Sequence, residues 1–151
     1  PNPNYLLRDM GRSDDFNEIL AMRDCIKTNG AAGKWEVAAE VFADYFNGGG
    51  TWEAMDVDRR QKFISALKPN YHEWDPVMNE NTSMKDWKSC LPEKTTVLSC
   101  VKTINSINGI INLLRSNMTT WDFIEYQEGG HMAPLTVPNI INPLIAKVLR
   151  G

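Results

Sequence analysis

The feature that most constrains this chain is a pair of strand-like runs with a helix-like run between them. "TTVLSCVKT" (95–103) carries Val97, Leu98, Cys100 and Val101 among β-branched threonines, the composition of a buried strand. "TTWDFIEYQE" (119–128) mixes Trp121, Phe123, Ile124 and Tyr126 with polar residues and reads as a second strand. Between them, "INSINGIINLLRSN" (104–117) sets Ile104, Ile107, Ile110, Ile111 and Leu114 at helical spacing. A closing helix is expected over "PNIINPLIAKVLRG" (138–151). Strand, helix, strand, helix is a βαβα order, which favours parallel strands because a parallel neighbour is reached only by a crossover. Two parallel strands are not a stable sheet alone, and their free edges seek further pairing. The expectation is that more strands are supplied by another chain, by a second copy, or by the rest of a longer polypeptide.

Residues 1–92 read differently, as a helical region. A first helix is expected over 11–30, capped by Ser13, favoured by Asp14 and Asp15 at its positive end, and stopped at Gly30. "GKWEVAAEVFADYFNGGG" (33–50) gives a second, with Trp35, Ala38, Ala39, Phe42, Tyr45 and Phe46 on its apolar side and Gly48–Gly50 as its stop. Asp56 caps a third over 56–70, with Phe63, Ile64 and Leu67 inward. "YHEWDPVMNE" (71–80) reads as a separate short helix broken near Pro76, and "SMKDWKSC" (83–90) as a helical turn capped by Ser83. The fold class expected is therefore α/β and helix-rich, divided into 1–92 and 93–151.

A net charge of −3 offers no basic face to nucleic acid. No apolar run approaches the ~20 residues that span a bilayer, and no signal-peptide pattern opens the chain. Cys25, Cys90 and Cys100 are an odd count at wide spacing, matching neither a disulfide framework nor a zinc pattern. Free thiols in a reducing, cytoplasmic setting are the expectation. No metal or organic cofactor is implied.

The candidate site is "YQEGGHMAPLTVPN" (126–139), where His131 follows a Gly-Gly pair just past the second strand. Such a histidine is either a catalytic base held at a strand tip or a solvated loop residue; imidazole suits base chemistry because it titrates near neutrality. His72, beside Glu73 and Asp75, has too few close ligands for a metal and reads as a surface residue. Trp52 and Met55, after the three glycines, and Phe46 before them are candidate pocket-lining residues; Trp35, Phe42 and Tyr45 are more simply core. Gly48–Gly50 lacks the Lys-Ser/Thr that would make it a phosphate loop. Cys25 and Cys100 read as structural.

In this order, "FADYFNGGGTWEAMD", "TTVLSCVKT" and "WDFIEYQEGGHMAPLTVPNIINPLIAKVL" resemble the C-terminal half of an α/β-hydrolase: the lid, the last two strands and the histidine loop. "GGHMAPLTVP" matches that family's G-H-x-x-x-x-x-x-P pattern. The resemblance implies that His131 is the catalytic base of a Ser-His-acid site acting on esters, amides or activated carbon–carbon bonds, with 1–92 as lid. It equally implies what these residues lack. No G-x-S-x-G nucleophile elbow occurs in the sequence, and "KTINSIN" (102–108), where the family often places its acid, holds no carboxylate. Asp122 and Glu125 precede the histidine on its strand, the wrong place for that role. The expectation is an incomplete site, inactive as an isolated chain, that works with an N-terminal hydrolase half. The alternative is a non-catalytic, self-associating protein that binds a small ligand or serves assembly through its strand edges.

Overall fold

The computed structural model describes residues 3–150. Five helices come first: α1 (Tyr5–Asp9), α2 (Ser13–Ala31), α3 (Trp35–Asn47), α4 (Val57–Met78) and α5 (Met84–Cys90). Then follow β1 (Thr96–Cys100), α6 (Asn105–Asn117), β2 (Asp122–Tyr126), a 3-10 turn at Gly130–Met132, the short α7 (Ala133–Thr136) and α8 (Pro138–Arg150). The strands pair in parallel, Thr96 opposite Asp122 through Cys100 opposite Tyr126, in a two-stranded sheet. The chain is thus helix-rich α/β with the expected βαβα order.

Side-chain caps start two of the helices. The Asp56 carboxylate accepts the Arg59 N–H at 2.8 Å and starts α4. Ser83 and Asp86 form a reciprocal capping box that starts α5. Three expectations need correction. Ser13 does not cap α2; Arg12 holds the cap position, without a side-chain bond, and Ser13 is already helical. Gly30 does not stop that helix either. The chain turns at Gly33 (φ 70°), where the Lys34 N–H reaches the Asn29 carbonyl at 2.8 Å, a glycine C-terminal motif. Nor does Pro76 break the chain: α4 runs unbroken through Pro69 and Pro76 to Met78. Its buried side, Leu67, Trp74 and Met78, outweighs the lost backbone bonds.

Helix α6, beyond residue 92, shares its core with the helices that precede it. Tyr5, Leu6 and Leu7 of the five-residue α1 are almost wholly buried, and one apolar cluster joins them to Ile19 and Ile26 of α2, Leu67 of α4 and Ile110 and Leu114 of α6. Tyr5 fixes α1 at the α5 side: its hydroxyl donates to the Thr82 carbonyl at 2.8 Å and accepts the Trp87 indole N–H at 2.7 Å. Strand β1, expected to be buried, is so only at Ser99 and Cys100. The reason is its edge. The Asp122 N–H bonds the Thr95 carbonyl, and the Val101 N–H bonds the Tyr126 carbonyl. In a parallel ladder the same-parity residues bond the same neighbour. Val97 and Ser99 therefore face β2, while Thr96, Leu98 and Cys100 turn N–H and C=O to the opposite, unpaired edge. No single helix among the described residues is long and apolar enough to cross a membrane.

Candidate functional site

His131 reaches its position through two glycines. Strand β2 ends at Tyr126, and the chain reverses at Gly129, which is left-handed (φ 96°, ψ −8°). A Cβ there would collide with the side chains of Val137 and Ala133, so both the conformation and the space demand glycine. Gly130 follows at φ 57°. The Thr136 hydroxyl closes the loop, 3.3 Å from the Gly129 carbonyl and 3.2 Å from that of Met132. The result is a histidine just beyond the carboxyl end of a parallel strand, where open α/β sheets place their ligand crevices.

A cavity of about 730 Å³ opens there. Lys102, Thr103 and Ile104 after β1 and Gln127–His131 after β2 form one wall; Tyr45–Gly48 at the end of α3 form the other. The Phe46 ring lies 5.3 Å from the imidazole, tilted by 39°. His131 is both crowded and open: the residue as a whole is exposed, yet desolvation of the ring lowers its pKa below the ordinary value of 6.5. That shift favours the neutral imidazole, the state a base requires. A smaller apolar cavity of about 340 Å³ lies on the other side of His131, between Leu98 and Cys100 of β1, Ile107 and Ile111 of α6, and Ile141 and Ile145 of α8.

Of the three expected pocket residues, only Phe46 lines the cavity beside His131. Trp52 and Met55 are 5% and 8% exposed and belong to the helical core. The segment after the glycines is pinned rather than hinged, because the Asp44 carboxylate accepts the Gly50 N–H at 3.0 Å and the Trp52 N–H at 2.8 Å. Those bonds hold the Asp44 carboxyl below the usual carboxylate range. Trp52 then packs edge-on against Phe63, 6.2 Å between centroids, under the Arg60 guanidinium.

The remaining candidates lie elsewhere. His72 is exposed and meets the edge of Tyr71, and no group of three metal-ligating side chains exists among the described residues. Cys25 is half-buried beside the Asn29 amide, Cys100 is buried and Cys90 is exposed. Glu125 pairs with Arg115 at 2.6 Å, away from the imidazole. Glu128 shares the cavity, but among the described residues no carboxylate hydrogen-bonds to His131.

A polar cluster that no local sequence signal marks meets the cavity at Tyr45. The Tyr45 hydroxyl donates to Glu18 Oε1 at 2.7 Å and meets Ser106 Oγ at 3.0 Å. The Tyr45 pKa is raised far above 10, chiefly by burial, so the phenol stays neutral and a donor. Ser106 is fully buried and polar, but nothing adjacent in sequence marks its partners, which lie 61 and 88 residues away. Lys102, which no sequence motif singles out, also lines the cavity. Comparison with protein-family models, with curated proteins and with solved structures gave no match.

Proposed function

We propose that this chain forms the lid and general-base part of an α/β-hydrolase-like site, with the serine nucleophile, oxyanion donors and orienting acid supplied from outside residues 1–151. The observation that carries the reading is the position of His131: at the carboxyl end of β2, beneath the end of a lid-like helix, on a cavity between both strand ends. In this reading the neutral imidazole takes the proton of a serine hydroxyl as it attacks an ester, amide or activated carbon–carbon bond, and returns it to the leaving group. The unpaired edge of β1, two residues from the cavity wall at Lys102, is where a further strand would bring that serine. Three free thiols suit a reducing, cytoplasmic setting. The test is ester turnover by the complete protein or complex that contains this chain. His131→Ala is expected to lower the rate by about 10²–10⁴-fold; unchanged turnover sinks the reading.

A second reading has its own observation. Leu135, Ile145, Val148 and Leu149 are exposed apolar side chains on α7 and α8, and the uncharged β1 edge adjoins the apolar cavity that Ile145 lines. Self-association through that edge makes the chain a binding or assembly protein with a relic histidine. A homodimer in sedimentation equilibrium, disrupted by Leu98→Pro, would favour it.

A further inference from the structure

We propose that Glu18 is a positioning residue for His131, acting through Tyr45 and Phe46. The Glu18 carboxylate sits at the start of α6. Its Oε1 accepts the Ser106 N–H at 3.3 Å, and its Oε2 accepts the Asn105 amide at 2.8 Å. A carboxylate there satisfies an otherwise orphaned N–H and meets the positive end of the helix. It also means that this helix end is already filled by the protein's own anion. The same Oε1 takes the Tyr45 hydroxyl proton at 2.7 Å. That proton is committed, so the hydroxyl contact with Ser106 at 3.0 Å runs from Ser106 to Tyr45. One carboxylate thus ties α2, α3 and α6 together, and the tie to α3 falls one residue before the aromatic ring that covers His131.

The rest of the relay is packing. Tyr45 and Phe46 stand edge to face, 4.8 Å between centroids at 83°, and Phe46 lies against the imidazole at 5.3 Å. Asp44 anchors the same end of α3 to the Gly50 and Trp52 N–H groups, but Asn47 and Gly48 are exposed, and the Glu18 bond is the one that holds Tyr45 beside Phe46. Fixing Tyr45 fixes where Phe46 stands over the imidazole, and hence how dry that ring is. A purely structural cluster would leave the histidine indifferent to its loss.

His131 reports the difference. The titratable groups that face it are Tyr45 from α3, Lys102 after β1, and Glu128 of its own loop in the larger cavity; Cys100 of β1 and Tyr126 of β2 face it in the smaller one. The parts of α7 and α8 beside it contribute Pro134, Ile141 and Ile145, which carry no charge. The importance of His131 as a base rests on the function proposed above, but its titration does not, so the two can fail separately. The experiment is an NMR pH titration of the imidazole in the full chain, assigned with His72→Gln. Glu18→Gln and Tyr45→Phe are each expected to move the midpoint up toward the ordinary value, and Phe46→Ala at least as far. Removing the Glu18 charge by itself would favour the neutral imidazole and lower the midpoint, so a rise reports position, not charge. Tyr45→Phe deletes a single oxygen and decides the matter if Glu18→Gln folds poorly. A Tyr45→Phe midpoint equal to wild type, while Phe46→Ala shifts it, overturns the proposal.

Discussion

The imidazole of His131 lies against the phenyl ring of Phe46, 5.3 Å between centroids. This contact joins the last loop of the chain to the end of α3 and gives the site its dry side. Desolvation is what lowers the His131 pKa, so Phe46→Ala is expected to raise it toward about 6.5, read by NMR titration.

The same shift has a consequence for stability. In the unfolded chain His131 titrates near 6.5, and in the folded chain lower. Between those values the unfolded state binds more protons, so stability rises with pH there. The contribution is complete above pH of about 6.5 and is lost as pH falls through the folded pKa. His131→Gln is expected to flatten that part of the curve, measured by urea unfolding from pH 5 to 8. An unchanged slope would show that another group controls it.

Gly129 and Gly130 offer a paired comparison. A Cβ on Gly129 meets Val137 and Ala133, whereas a Cβ on Gly130 finds only the Lys102 carbonyl, at 3.9 Å. Gly130→Ala carries only the conformational cost of a left-handed residue, about 1–2 kcal/mol. Gly129→Ala adds a collision and is expected to cost more than about 2 kcal/mol. Equal midpoint shifts in denaturant would contradict the loop geometry.

Gly109 lies inside α6, where alanine normally stabilises by about 1 kcal/mol. Here a Cβ would stand 2.5 Å from the Asp15 carboxylate and 2.9 Å from a methyl of the buried Leu7. Asp15 can yield; Leu7, with no exposed surface, cannot. Overpacking costs about 1–3 kcal/mol, so Gly109→Ala is expected to destabilise on balance. A stabilised variant would show that α6 does not approach α1 this closely.

The β1 edge predicts a pattern of amide exchange. The Val97, Ser99 and Val101 N–H groups bond to β2, while those of Thr96, Leu98 and Cys100 point to the open edge. In the isolated chain the first set is expected to exchange slowly and the second quickly. When a strand docks, the second set should gain protection. Uniform protection of all six in a monomer would contradict the two-stranded sheet.

What was legible in the sequence follows from range. The βαβα order was readable because β-branched runs and helical spacing are local signals, and the Asp56 and Ser83 caps because their partners lie three residues away. His131 at a strand tip was readable from its glycines. Trp52 and Met55 were misplaced because the glycines before them suggested a hinge, whereas Asp44, six and eight residues before the N–H groups it binds, pins the segment. Pro76 looked like a break because its cost is local, while the burial of Trp74 and Met78 that offsets it is not. Glu18 resembled any solvated acid on a helix; its role depends on partners 27 and 88 residues away.

In the function proposed above, His131 serves a nucleophile that residues 1–151 do not contain. The most direct measurement labels the protein from its own source with a serine-reactive fluorophosphonate, after which native mass and subunits are determined. The expected result is a labelled G-x-S-x-G serine in the same polypeptide or complex as this chain, with labelling lost in His131→Ala. A homo-oligomer of this chain alone, unlabelled and indifferent to His131, would contradict it.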